Sequence, residues 1–156
     1  MISFETPIGR FRAAFSERGL RRLWFPGEAV PPAPEDAREE ASDLGLAGEL
    51  TDYLRGRLDR FTVPLDLRGT AFQREVWSRV LEIPYGRTRS YLDVARAVGR
   101  PLAARAVGAA NGANPVPILV PCHRLVGANG DPTGYGGGIE LKRWLLRLES
   151  RPPGGH

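Results

Sequence analysis

Prolines at positions 115, 117 and 121 punctuate the apolar run Pro115-Val116-Pro117-Ile118-Leu119-Val120-Pro121-Cys122-His123-Arg124-Leu125-Val126, and no helix can pass through them. β-Branched residues between the prolines make the segment an extended, stiff one by expectation. It holds the single cysteine of the chain, with a histidine directly after it. A lone cysteine is commonly a small buried hydrophobe, so its surroundings must decide whether this one is a nucleophile.

The 156 residues, 42% of them apolar, suffice for one mid-sized domain or two small ones. No run of about 18 apolar residues occurs, and Met1-Ile2-Ser3-Phe4-Glu5 lacks the basic-then-apolar pattern of a signal peptide. The expectation is a cytoplasmic protein with no membrane partner, nucleoid-associated if bacterial. One cysteine excludes an internal disulfide, and with two histidines it cannot supply a structural zinc site of the usual kind. Neither a metal nor a cofactor is expected.

Charge is unevenly spread. Residues 1–69 hold ten arginines against twelve acids, a net of −2, whereas residues 70–156 hold twelve basic residues against six acids, a net of +6. Between Tyr85 and Arg124 stand Arg87, Arg89, Arg96, Arg100, Arg105 and Arg124, opposed only by Asp93. Such a patch suits an anionic partner, with a phosphate backbone the commonest case, although a merely solvated face is compatible with charge alone.

Along the chain, Ile2 to Pro7, Arg10 to Ser16 and Leu20 to Phe25 read as short strands, with Phe11, Ala13 and Phe15 alternating inward. Residues 26–35 read as loop, and Glu39 to Arg57 as a helix whose apolar face holds Leu46, Leu50, Tyr53, Leu54 and Leu58. Asp59 to Gly69 reads as an extended connector. The next helix opens on the capping-box pattern Thr70-Ala71-Phe72-Gln73 and ends at Pro84-Tyr85-Gly86. Ser90 caps a short helix from Tyr91 to Val98, and Pro101 at a first helical position starts another to about Ala110, which makes a helix-turn-helix.

That third helix is nearly all small residues, with Arg105 standing out. Small side chains permit close approach to another backbone, whether of a neighbouring helix or of a partner. A glycine-rich loop, 127–138, follows the cysteine segment, and Ile139 to Glu149 forms a last helix with Leu141, Trp144, Leu145 and Leu148 inward. Glu149 borders that face and should be paired. The fold class is α+β: a small N-terminal sheet-and-helix domain over residues 1–66, a mainly helical domain with the helix-turn-helix over 67–150, and a tail over 151–156.

An unperturbed thiol is only a few per cent ionised at neutral pH, with a pKa of about 8.5, so a nucleophilic Cys122 needs activation. His123 can accept the proton, but neighbours on an extended segment face apart, which favours a bridging water over direct contact. Glu149 is the candidate to hold the histidine tautomer. A satisfied core histidine remains the alternative on chemistry alone.

Pro121-Cys122-His123-Arg124, preceded by Asn114-Pro115-Val116-Pro117 and followed by Tyr135, Gly137-Gly138, Lys142, Trp144-Leu145-Leu146 and Glu149, resembles the active-site signature of the 6-O-alkylguanine-DNA alkyltransferases. The likeness extends to Arg105-Ala106-Val107-Gly108 and to Tyr91, and covers roughly Thr70 to Glu149. It implies an N-terminal domain of ribonuclease H-like type and direct-reversal DNA repair by a monomer acting on double-stranded DNA that contains alkylated guanine. The resemblance makes Cys122 the single-use acceptor of the alkyl group, His123 the base acting through water, Glu149 its orienting partner and Asn114 the residue that fixes the active-site backbone. It makes Arg105, Tyr91, Ala106 and Gly108 the groove-binding and base-flipping set, with Arg105 filling the vacated place. Tyr135, Gly136, Gly137, Leu125 and Pro117 would line the base pocket.

Two departures stand out. Gly136 occupies a place where family members often have serine, and the ligands by which some relatives bind zinc in the N-terminal domain are missing. Retention of Cys122 speaks against relatives that only flag lesions. A lesion sensor without transfer and a helix-turn-helix regulator are the alternatives, and a cysteine hydrolase is a weak third.

Overall fold

The structure, a computed structural model, describes residues 1–30, 32 and 43–151. It divides into two compact units, Met1–Leu67 and Arg68–Ser150. Among the described residues no helix is long and apolar enough to cross a membrane.

The first unit holds strands β1 (Ile2–Thr6), β2 (Gly9–Ser16) and β3 (Gly19–Trp24) in one antiparallel sheet, in the order β1-β2-β3. Phe11, Ala13 and Phe15 are buried as the alternation predicts, but Ala14 is buried too. A register shift between Ala14 and Phe15 explains it, since a bulge puts an extra residue on the same face. The connector returns to the sheet: Leu20 N–H donates to the Pro64 carbonyl at 2.8 Å and Asp66 N–H to the Leu20 carbonyl at 2.9 Å. Gly19 is required at this junction, because at φ 148° a Cβ there would lie 2.3 Å from the Pro64 carbonyl oxygen.

The first helix, α1 (Leu46–Leu54), is shorter than its sequence pattern suggests. Its expected stretch 39–42 lies outside the described residues. The Asp43 carboxylate takes up the amides of Gly45 and Ala47, both at 2.9 Å, and Gly45 at φ 88° turns the chain into the helix. Leu46, Leu50, Tyr53 and Leu54 of the predicted face are buried, whereas Leu58 lies beyond the helix end and is half-buried.

The second unit is built from α2 (Ala71–Leu81), α3 (Tyr91–Ala97), α4 (Ala104–Gly112) and α5 (Ile139–Glu149). The predicted capping box of Thr70 with Gln73 forms, and the Ser90 cap is completed into a second box by Asp93, each contributing about 1 kcal/mol. The helix after Ser90 is followed by the expected turn, but α4 begins at Ala104, three residues beyond Pro101. Ala103 N–H bonds to the Arg100 carbonyl at 2.9 Å, so Pro101 takes the second place of a β-turn, where its fixed φ serves equally well.

The small residues of α4 serve packing on one side. Val107, Ala110 and Asn111 are buried against α2, whose Trp77 indole N–H donates to the Ala110 carbonyl at 2.8 Å. Arg105, Ala106 and Ala109 remain exposed on the other side.

One pairing had no signal in the sequence. Two-residue strands β4 (Arg89–Ser90) and β5 (Leu125–Val126) pair in parallel, Arg89 opposite Leu125 and Ser90 opposite Val126. This ladder fixes the start of α3 beside the cysteine segment.

Candidate active site

The proline-rich segment is not extended throughout. Pro117 and Val120 form a bridge, Val120 N–H bonds the Val116 carbonyl at 3.0 Å, and Ile118 between them adopts φ 73°. That left-handed conformation is an outlier for a β-branched residue, with a cost of about 1–3 kcal/mol that the burial around it must offset. Asn114 closes the loop: its Nδ2 donates to the Val120 carbonyl and its Oδ1 accepts from Val116 N–H, both at 2.9 Å.

Cys122–Arg124 then forms a 3-10 turn, with Arg124 N–H on the Pro121 carbonyl at 2.9 Å. The expected extended geometry of Cys122 and His123 is thereby corrected. The two side chains still diverge, now because three residues complete each turn and neighbours stand about 120° apart.

Every side chain of this turn is buried, with relative exposures of 5% for Cys122, 0% for His123 and 7% for Arg124. Burial pushes the Cys122 thiol pKa up, while hydrogen bonding from the Asn114 and Tyr135 side chains and the charge of Lys142 act the other way. The thiol therefore rests protonated, and three groups stand ready to stabilise the thiolate.

His123 Nε2 lies 2.7 Å from Glu149 Oε2. Glu149 is also held by Arg124, whose Nε donates to Oε1 at 2.8 Å and Nη2 to Oε2 at 2.9 Å. Burial alone would raise the Glu149 pKa, but hydrogen bonds from His123 and Arg124, with their charges, hold it down at about 2. Burial lowers the His123 pKa; Glu149 opposes this, and the charges of Arg124 and Lys142 reinforce it. A neutral imidazole facing an ionised carboxylate follows, with the Nε2 proton directed at Glu149 and the lone pair on Nδ1.

The structure gathers Cys122, His123, Glu149, Asn114 and Tyr135 in one place. The Tyr91 hydroxyl bonds to Thr133 of the glycine-rich loop that also carries Tyr135. Of the expected pocket residues, Leu125 and Pro117 are buried, Tyr135 and Gly137 half-buried and Gly136 exposed. Gly108 lies against the Tyr91 ring, 3.8 Å from where its Cβ would be. Arg105 and Ala106 stand apart, on the exposed side of α4.

The roles of three residues escaped sequence reasoning. Arg124 belongs to the buried network and not to the surface patch in which its charge was counted. Lys142, fully buried on α5, donates its ammonium to the Leu125 carbonyl at 2.6 Å, and its pKa is lowered by burial, an effect that a thiolate on Cys122 would oppose. The signal was present: with Leu145 and Glu149 it lies on the inner face of α5, where a charged residue is out of place. Asn111 donates to the Cys122 carbonyl at 3.2 Å, from the end of a helix of small residues where nothing in the sequence marked it.

Comparison with known proteins follows the same residues. Positions 71–151 match the family model described as 6-O-methylguanine DNA methyltransferase, DNA binding domain. The chain is 59% identical over 153 residues to a methylated-DNA–protein-cysteine methyltransferase of Mycobacterium tuberculosis, covering 97% of this chain and 93% of that one. A protein of the same name from Methanosarcina acetivorans is 45% identical over 148 residues, covering 94% of this chain and 95% of its own. The crystal structure of Mycobacterium tuberculosis OGT in complex with DNA superposes with a TM-score of 0.85 and 46% identity, over 95% of this chain and 91% of that one.

Proposed function

The chain belongs to the 6-O-methylguanine DNA methyltransferase family, and from that premise we propose that it repairs DNA by moving the alkyl group of an alkylated guanine onto Cys122 in a single turnover. The observation that supports this most is the junction of a buried thiol, contacted by Asn114 and Tyr135, with a neighbouring histidine held by an ionised Glu149.

In the proposed reaction His123 Nδ1 takes the Cys122 proton through a water. The sulfur attacks the alkyl carbon, the S–C bond forms as the C–O bond breaks, and the electron pair leaves with the guanine oxygen. Guanine regains a proton, which balances the one given up by the thiol. Asn114, Tyr135 and Lys142 stabilise the thiolate on the way. The product is a neutral thioether, whose thiolate is a poor leaving group, so the alkyl stays on the sulfur and the protein is consumed.

A base stacked in a duplex cannot reach a thiol that is 5% exposed, and the lesion must be flipped out. Exposed Arg105, on the small-residue face of α4, is suited to enter the minor groove and occupy the vacated place. Exposed Arg87, Arg96 and Arg100 are candidates for phosphate contacts. Tyr91, bonded to Thr133, would meet the flipped nucleotide, and Tyr135 with the adjacent glycines would line its pocket.

Substitution of Cys122 by alanine separates recognition from transfer. The variant should bind a duplex carrying one methylated guanine with wild-type affinity, read by fluorescence anisotropy, while leaving the methyl group on the DNA. Loss of binding with the thiol alone would contradict this division of roles.

A further inference from the structure

Arg124 is the most enclosed guanidinium of the second unit, and nothing in the reaction above uses it. Four of its interactions are fixed: two hydrogen bonds to the Glu149 carboxylate at 2.8 and 2.9 Å, one from Nη1 to the Ile83 carbonyl at 2.7 Å, and a stacking contact 5.7 Å from the Tyr85 ring centre. The Ile83–Gly86 bend wraps the same carboxylate. Gly86 N–H donates to Glu149 Oε1 at 3.4 Å, and at φ 78° a Cβ on Gly86 would lie 3.0 Å from the Glu149 carbonyl oxygen. Glu149 therefore has its position set from α2's exit as well as from α5, through Arg124 as the common member.

Resting on the reading of His123 as the base, we propose that Arg124 is a positioning residue for alkyl transfer: its fork holds Glu149 in place against His123 and balances the carboxylate charge, so that the imidazole stays a proton acceptor. A carboxylate bonded to a histidine alone stabilises the imidazolium, which is useful after proton transfer but fills the acceptor site before it. Sharing that carboxylate with a guanidinium tempers this pull. The charged groups facing His123 are Glu149 and Lys142 from α5 and Arg124 from its own turn, where the neutral thiol of Cys122 also stands, and both cations favour the neutral ring. A bidentate fork also fixes the plane of the carboxylate, which a single ammonium cannot do.

The test is the pH dependence of single-turnover methyl transfer in Arg124→Gln and Arg124→Lys, with binding of the lesion duplex measured alongside. Removing the positive charge raises the affinity of His123 for a proton. The acid limb of the rate profile in Arg124→Gln should therefore move to higher pH by about one unit, with a loss that approaches about tenfold below neutral pH, is a few-fold at about pH 7, and is recovered in alkali apart from any fall in the plateau. Lysine restores charge without the fork, so the limb should return towards wild type while the plateau rate stays reduced. Binding should be unchanged in both, since Arg124 is buried.

A rate lowered equally at every pH would overturn the proposal and leave Arg124 a purely structural clamp. If Arg124→Gln does not fold, the Arg124→Lys profile decides: a wild-type plateau rate would overturn the proposal. Failure of the wild-type protein to transfer a methyl group at all would instead overturn the functional reading on which the proposal rests.

Discussion

Nε2 of His123 stands 2.7 Å from Oε2 of Glu149, with side-chain exposures of 0% and 1%. Because the Glu149 pKa is held at about 2, the carboxylate can only accept, and the histidine must present its other nitrogen as the base. One buried contact thus sets the tautomer, the direction of proton transfer and part of the stability of the second unit.

Replacing Glu149 with glutamine should slow methyl transfer by about 10²–10⁴-fold, the usual range for losing an oriented base. It also strands the Arg124 guanidinium, and breaking a buried pair costs about 3–5 kcal/mol. Single-turnover kinetics and a urea midpoint measured on the same variant check both effects.

Acid stability follows from the same contact. Glu149 titrates lower in the folded state than its ordinary value of 4.5, so its contribution is present above that value and lost as pH falls towards about 2. The shift corresponds to on the order of 3 kcal/mol. His123, whose folded pKa is lowered, adds a loss that begins as pH drops below its ordinary value of 6.5, because the unfolded chain takes up the proton more readily. Denaturant midpoints between pH 7 and pH 3 should fall continuously, and Glu149→Gln should flatten the part below pH 5.

Lys142→Met should remove the positive charge beside the sulfur while nearly preserving volume. Its expected effect is a rise in the Cys122 pKa, seen as a shift to higher pH in the rate of alkylation by iodoacetamide. Unchanged thiol reactivity would show that the ammonium serves only the Leu125 carbonyl.

Arg105→Ala should slow transfer from duplex DNA by about tenfold or more, since flipping costs a few kcal/mol. Reaction with the free methylated base, which needs no flipping, should be unaffected. Equal slowing of both reactions would place Arg105 in the chemistry and not in delivery.

Gly136→Ser should fold as the parent does, because a Cβ at Gly136 meets nothing within 4 Å and no left-handed φ is needed there. Any change should appear in the relative rates for methyl and larger alkyl groups, with melting temperature constant.

Helices were legible wherever their ends were marked chemically. The capping residues Thr70 and Ser90 placed α2 and α3, and α5 has the expected span Ile139–Glu149, but its buried face is Lys142, Leu145 and Glu149, with the expected Leu141, Trp144 and Leu148 only half-buried. Pro101 misled because proline suits both a first helical turn and a β-turn, and the choice falls to the Arg100–Ala103 bond. The geometry around Cys122 was hidden for a different reason. Extended backbone is the ordinary prior for prolines and β-branched residues, and only the tertiary bonds of Asn114 and the burial of Ile118 stabilise the left-handed bend and the 3-10 turn. Nor could composition distinguish Arg124 from a surface cation, since its burial depends on Glu149 and on the Ile83 carbonyl that receive it, whereas Lys142 is marked by its place beside Leu145 and Glu149 on α5.

The transfer itself is tested most directly by incubating the protein with a duplex that carries one O6-methylguanine, digesting it and weighing the Cys122 peptide. The expected result is the mass of one added methylene on Cys122, with stoichiometry limited to one methyl per protein and unmodified guanine restored in the DNA. An unchanged Cys122 peptide, with the lesion bound but intact, would contradict transfer and make the protein a lesion-binding module.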